Sequence, residues 1–394
     1  MINKISHKKF FVVAASVGIF GTAFFNYIYA PTPISYSIST RETATTTIKE
    51  KKKEEFIVTH IPTPEPLKAI YMTQCVSGTK DFRERLVNLI EKTELNAVVI
   101  DIKDYTGKLS FTPKDPTFSE FVSDECGAID MREFIGVLHK KNIYVIGRIT
   151  VFQDPYYSKK YPHLAVQKKS DKTLWKDRKG ISYVDPGAKE MWDYMIRLSK
   201  SAYATGFDEL NYDYVRFPSD GDMKDIYFPQ SNSILATSTA SGKAVVIRDF
   251  FAHLSKELGV LNAPLSADLF GMTTTNKDDL NIGQIIEYAE PYFDYIAPMV
   301  YPSHYPPTFI GFANPAEHPY EIIKYSMDSA VRRFIAASST PMKLRPWLQD
   351  FNLGAEYTAD MVRAQIQATY DAGLTSWMLW DAGNTYTEEA LLPE

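Results

Sequence analysis

Eight short apolar runs recur between residues 67 and 394, separated by longer amphipathic segments, and this alternation constrains the fold more than any other feature of the chain. The runs are Lys68–Thr73, Ala97–Lys103, Tyr144–Phe152, Phe207–Val215, Leu265–Phe270, Asp294–Tyr301, Leu344–Gln349 and Ser376–Trp380. Apolar strands of this length joined by helical crossovers make a parallel sheet covered on both faces. The segments between them predict helices near Asp81–Lys92, Ile129–Lys141, Ala188–Thr205, Lys243–Leu258, Asn281–Glu287, Pro319–Ile335 and Ala359–Ala372. Gly206, Gly259 and Gly373 stand where a helix C-terminus favours glycine.

Eight β/α repeats in about 330 residues predict an α/β fold, a (β/α)8 TIM barrel over 67–394 with enlarged loops. The alternative, a doubly wound open sheet, usually carries a Gly-rich phosphate turn after its first strand. YMTQCVSGTK lacks the G-x-G-x-x-G arrangement. Polar residues instead recur at the carboxyl ends of the strands, where barrels build active sites. Long loops are expected after the third, fourth and sixth strands.

Ahead of the barrel the chain changes character. Lys4, Lys8 and Lys9 lie in residues 1–9 and precede an apolar run over 10–30, long enough to cross a bilayer as a helix. Ile28-Tyr29-Ala30 before Pro31 is a poor signal-peptidase site, which favours an uncleaved transmembrane anchor over a secreted product. The positive-inside rule then leaves residues 1–9 cytoplasmic and the rest extracytoplasmic, a single-pass protein of the cell membrane. Residues 31–66, Ser/Thr-rich, then charged, then bearing Pro62, Pro64 and Pro66, read as a disordered, flexible tether.

Charge narrows the partners. The chain holds 43 basic and 48 acidic residues, and residues 66–394 alone carry a net −8, so a nucleic-acid partner is not expected. Cys75 and Cys126 are too few for a cysteine scaffold or zinc site, and the 7 histidines lack H-E-x-x-H spacing. No metal and no cofactor is therefore expected. The two cysteines follow neighbouring strands, leaving open either a disulfide or two thiols.

The densest chemical signal is GFDELNYDYVRFPSDG, 206–221. On a strand Glu209, Asn211 and Asp213 share one face, with Asp213 last before the chain leaves through Arg216. A carboxylate at that mouth can attack a sugar's electrophilic carbon or stabilise the developing cation, and Asn211 can bond a hydroxyl. Capping a loop is the plainer role. Asp268, ending the apolar run LSADLFG, suits a general acid because apolar surroundings raise a carboxyl pKa. It could equally orient a neighbour.

Asp101 and Lys103 on the second strand and Arg148 on the third could form a network that keeps Asp213 ionised, or a purely structural one. Further substrate-binding candidates are Arg216, Tyr301, His304, Trp347, Gln349, Trp380 and Asp381, with Met299 on the same rim. Aromatic faces beside fixed polar groups suit a carbohydrate, although core packing explains any one of them. No G-x-S-x-G elbow, Walker loop or Cys/His pair competes.

Taken together, TELNAVVIDIKDYTG (93–107), NIYVIGRITVFQDP (142–155), LWKDRKGISYVDP (174–186), the 206–221 motif, LSADLFG, IAPMVYPSHYP, RPWLQDF and WMLWDAGN resemble a bacterial family known as the putative glycosyl hydrolase domain. The resemblance spans about Leu67 to Tyr386 and implies a barrel, export, and hydrolysis of a glycosidic bond in a poly- or oligosaccharide. The fourth-strand motif is similar in turn to DGIHFDDY of distant glycosidase-like barrels, which implies a catalytic role for Asp213. Asn211 and Tyr212 stand where the family more commonly has Gln and Phe. A second reading, from a different class, is a catalytically inactive barrel that binds envelope glycan. A metal-dependent deacetylase is disfavoured by the missing His/Asp ligand spacing.

The topology is testable directly: protease added to intact spheroplasts should remove the folded region, and protection of that region would overturn the assignment.

Overall fold

The computed structural model describes residues 57–237 and 241–394. The expected cytoplasmic segment 1–9, the apolar span 10–30 and the linker up to residue 56 lie outside these residues. Among the described residues no helix is long and apolar enough to cross a membrane.

The eight runs form eight strands, β1 Lys68–Met72, β2 Ala97–Lys103, β3 Tyr144–Thr150, β4 Glu209–Asp213, β5 Leu265–Phe270, β6 Tyr295–Met299, β7 Trp347–Gln349 and β8 Trp377–Trp380. All neighbours pair in parallel, and β1 closes on β8 through Lys68↔Trp377, giving a closed barrel. The fold is a (β/α)8 barrel. AVVIDIK and YVIGRIT are buried at every position, as a parallel sheet with a filled interior and a helical jacket requires. The jacket is α1 Lys80–Lys92, α2 Met131–Lys140, α3 Lys189–Tyr203, α4 Gly242–Leu258, α5 Pro319–Ala336 and α6 Ala359–Asp371.

Several elements are shorter than the pattern predicts, and two of them have an evident local cause. The helix expected over 281–287 is reduced to one turn, Ile286–Ala289, because Leu280, Asn281 and Gly283 adopt left-handed φ values of 53°, 57° and 87° that no α-helix can contain. β7 begins at Trp347 rather than Leu344, since Pro346 has no N–H to give the sheet.

Residues 57–66, which composition assigns to the tether, lie along the amino-terminal face of the barrel. The Ile61 N–H donates to Asp208 Oδ1 at 2.9 Å, the Thr63 hydroxyl to Tyr144 Oη at 3.0 Å, and the His60 ring stacks on Tyr203. The same face is closed by Arg345 Nη1, which donates to Glu209 Oε2 at 2.8 Å.

At the carboxyl face the long loops hold each other. Gln167–Lys168 from the loop after β3 pairs antiparallel with Ile226–Tyr227 from the loop after β4. Asp185 accepts from the backbone N–H groups of Gly187, Gln230 and Ser231, which fastens the two loops again. Cys75 and Cys126 are joined by a disulfide, with Cα atoms 4.4 Å apart, so the open question of the cysteines resolves as a bond. The loops there are so close that a Cβ on Gly78 would lie 2.2 Å from the Gly127 carbonyl oxygen.

The disulfide closes a 51-residue separation, so the double variant Cys75→Ser/Cys126→Ser is expected to lose about 2–4 kcal/mol in urea unfolding. An undiminished midpoint would show that the bond does not constrain the unfolded chain.

Candidate active site

The inward face of β4 sets three polar groups at successive heights. Glu209, nearest the amino end, is spent on Arg345 and on the hydroxyl of Tyr144. Asn211, one layer up, donates through Nδ2 to Ser266 Oγ at 3.1 Å and to Asp268 Oδ1 at 3.0 Å. Asp213 reaches the mouth. Tyr214 then ends the strand with φ 54°, a left-handed conformation uncommon for an aromatic residue, and its N–H donates to Asp213 Oδ1. That turn fixes the carboxylate's orientation.

Arg148, on β3, stands at the centre. Its Nη1 donates to Asp101 Oδ1 at 2.7 Å, while Nη2 and Nε donate to Asp213 Oδ2, the latter at 3.2 Å. Nε is also 3.7 Å from Asp268 Oδ2. The Oδ2 atoms of Asp213 and Asp268 are therefore no farther apart than the sum of those two distances, about 6.9 Å. The Tyr71 hydroxyl donates to the other oxygen of Asp101, and the Tyr71 ring stacks on Trp380 at 4.0 Å, with the guanidinium within 5.1 Å of the indole.

Three carboxyl groups share one cation, so one of them is favoured to keep a proton. Burial, and next the charge of Asp213, push the Asp268 carboxyl from 3.8 up to about 8. Its Oδ1 accepts from Asn211 and from Trp347 Nε1, the latter at 2.8 Å, whereas Oδ2 has no hydrogen-bond partner. The proton therefore belongs on Oδ2. Burial also raises Asp101, against the opposing pull of Arg148.

Above this cluster lies a cleft with two lobes. One, about 560 Å³, is mainly aromatic and apolar, with Asp213, Tyr214, Phe270, Met272, Tyr301 and Phe351 among its walls. The other, about 710 Å³, is polar, with Asp101, Asp104, Asp177, Lys179 and Asp220. Arg148, Tyr214, Arg216, Trp380 and Ala382 line both. Among the described residues no group of three or more His, Cys, Asp or Glu side chains is arranged to hold a metal ion.

Most of the expected residues converge here, at different depths. Asp213, Asp101, Arg148, Arg216, Tyr301, His304 and Trp380 line the cleft, and Met299 joins them. Asp268, Asn211 and Trp347 are buried beneath it, where Asn211 and Trp347 orient Asp268 rather than meet a ligand. Lys103 points elsewhere: fully buried, it bonds the Thr150 carbonyl and pairs with Asp154 at 2.9 Å, because the strand register shifts between Asp101 and Lys103. Gln349 accepts from the Ser303 N–H and donates to the Phe351 carbonyl, tying two loops together. Asp381 caps its own turn by accepting from the Thr385 N–H. Tyr71, Tyr214 and Phe351 are wall residues that sequence reasoning passed over, although Tyr214 and Phe351 each directly follow an aspartate at a strand end.

Residues 69–386 match the family described as the putative glycosyl hydrolase domain. The chain belongs to that family. Among solved structures, the glycoside hydrolase domain of PgaB (BpsB) from Bordetella bronchiseptica is similar over 80% of this chain and 93% of that one, at 14% identity and a TM-score of 0.59. Alpha-L-fucosidase isoenzyme 2 from Paenibacillus thiaminolyticus is similar over 82% of this chain and 48% of that one, at 11% identity and a TM-score of 0.57. At such identities the likeness establishes the fold that this family member shares with them. A hypothetical protein from Ruminiclostridium thermocellum is 31% identical over 50% of this chain and 96% of its own, with a TM-score of 0.44. Comparison with curated proteins finds no match.

A raised carboxyl pKa has a defined effect on stability. Between about pH 4 and 8 the folded protein holds the Asp268 proton that the unfolded chain has released, so this group's contribution to stability falls as pH rises through that window. Asp268→Asn keeps an acceptor for Asn211 and Trp347 but cannot ionise. Its stability relative to wild type, from urea unfolding at pH 5, 6.5 and 8, should rise steadily with pH, and a pH-independent difference would contradict the assignment.

Proposed function

We propose that this protein is a membrane-tethered, extracytoplasmic glycoside hydrolase acting on a cell-envelope or environmental polysaccharide. The observation that carries the reading is the pair at the barrel mouth: a carboxylate on the cleft wall, Asp213, beside a buried carboxyl group that keeps its proton at neutral pH, Asp268. Two carboxyl groups in opposite protonation states are what hydrolysis of an acetal linkage needs. The family and the glycoside hydrolase folds support the same chemistry.

In the proposed mechanism Asp213 attacks the anomeric carbon or stabilises its developing charge, and Asp268 supplies and recovers the proton. Retaining glycosidases hold their carboxyl groups ~5–5.5 Å apart and inverting ones ~6.5–9.5 Å. The upper limit of about 6.9 Å between the two Oδ2 atoms removes most of the inverting range and supports the retaining reading. The Tyr71–Trp380 stack and Tyr301 supply faces for the C–H surface of a sugar ring. The apolar span over 10–30, with lysines before it, is the proposed anchor, and the positive-inside rule supports an extracytoplasmic barrel.

One observation favours the binding-only alternative. Asp268 Oδ2 is sealed beneath the cleft floor, and a proton donor must reach the leaving oxygen. Release of reducing ends from a panel of cell-wall polysaccharides separates the two readings, since an inactive barrel binds glycan and releases none.

On a substrate so identified, Asp213→Asn should lower kcat by roughly 10²–10⁴-fold with the fold intact. Asp268→Asn should harm substrates with poor leaving groups most and abolish the loss of activity expected above about pH 8 in the wild type. Near-normal turnover by Asp213→Asn would exclude this pair.

A further inference from the structure

Among the described residues four basic side chains are buried: Lys103, Arg148, Arg216 and Arg345. Three of them are matched by carboxylates. Lys103 pairs with Asp154, Arg345 with Glu209, and Arg148 with Asp101 and Asp213. Arg216, only 7% exposed, has no carboxylate within ion-pair distance among the described residues. A cation withdrawn from water without a counter-charge is costly, and natural proteins rarely keep one where nothing comes to meet it.

The surroundings of Arg216 compensate only part of that cost. Nη1 donates to the Phe217 carbonyl at 3.1 Å and to Ser219 Oγ at 3.3 Å, while Nε is buried with no acceptor. The rings of Phe270, Tyr214 and Tyr183 lie 4.9, 5.1 and 5.9 Å from the guanidinium carbon. The Tyr183 hydroxyl also takes part in a hydrogen bond with the guanidinium, but a neutral phenol and aromatic faces supply no counter-charge.

Its position adds the second observation. Arg216 lines both lobes of the cleft. In the polar lobe Asp101 is held by Arg148, and Asp104, Asp177 and Asp220 stand against Lys179, a surplus of negative charge that repels an anion. The aromatic lobe has a single acidic side chain on its wall, Asp213, and that one is already held by Arg148. On that side Arg216 is the cation still lacking an anion.

We infer that the cleft takes an acidic glycan, with the carboxylate of a uronic acid residue paired to Arg216 from the aromatic lobe. The inference rests on the reading of the cleft as a glycan site and names the substrate class. A planar carboxylate matches the guanidinium fork, and the rings around Arg216 exclude the water that would otherwise weaken the pair. Arg216 is thereby a specificity residue, distinct from Arg148, whose donors are already committed to the aspartates.

The test compares acidic oligosaccharides with their own neutral derivatives. Trisaccharides of glucuronate and galacturonate, and the same compounds after carboxyl reduction, are titrated into the full-length protein by intrinsic fluorescence, with reducing ends assayed in parallel. Wild type should bind at least one acidic trisaccharide about tenfold more tightly than its reduced form, a preference that added salt weakens. Arg216→Gln should bring the ratio to near one, and Arg216→Lys should keep part of it. Equal affinity of wild type for the acidic and reduced forms overturns the inference without reference to any variant that fails to fold. So does a preference that survives in Arg216→Gln. Cleavage of a neutral glycan with no binding of the acidic ones overturns the substrate class and leaves the hydrolase reading intact, whereas absence of binding and cleavage across the panel overturns both.

Discussion

The guanidinium of Arg148 is the interaction on which the barrel mouth depends. Asp101, Asp213 and Asp268 enter from three different strands and approach this one cation, so without it three largely buried acidic groups would face each other. Removing one partner of such a buried cluster typically costs about 3–5 kcal/mol, because the charge left behind has no compensation. The same shortage of positive charge gives the site its chemistry. One cation cannot hold three carboxylates ionised, so Asp268, buried and beside the charge of Asp213, is the one favoured to retain its proton.

The geometry around that cation follows from strand register. Asp101 is level with Arg148, and Arg148 with Asn211, which is level with Ser266. Parallel pairing thus sets donors and acceptors from β2 to β5 at matched heights without any loop having to place them. Alternation along β4 then sorts its polar groups by depth, with Glu209 closing the base, Asn211 orienting Asp268, and Asp213 meeting the cleft. The loops supply the walls rather than the chemistry. Their mutual fastening, through the paired strands at 167–168 and 226–227 and through the Cys75–Cys126 bond, makes a pre-formed cleft rather than one assembled around a ligand.

At the mouth of the barrel three local features depart from what stability alone favours: the left-handed Tyr214, the unpartnered Oδ2 of Asp268 and the unmatched charge of Arg216. All three lie within the stretch from Asp213 to Arg216 or border it directly. At the cleft such strain and unsatisfied polarity are features that a bound ligand can relieve.

Read from the chain alone, the period and spacing of the apolar runs determined the barrel, because strands buried on both faces must be apolar throughout and crossovers must be amphipathic, and both demands are local. The placement of Asp213 and Arg216 at the fourth strand's end, and of Asp268 on the fifth, was equally legible, since alternation and an isolated charge in an apolar run can be read within a few residues. Tertiary structure decided the rest. A one-residue register shift turned Lys103 away to Asp154 although it shares a period with Asp101. Contacts across more than 45 residues tied Trp347 to Asp268 and Gln349 to Ser303, and brought together the two cysteines. Which cations are matched and which carboxyl keeps a proton depend on distances between strands far apart in sequence, and no local pattern encodes those distances.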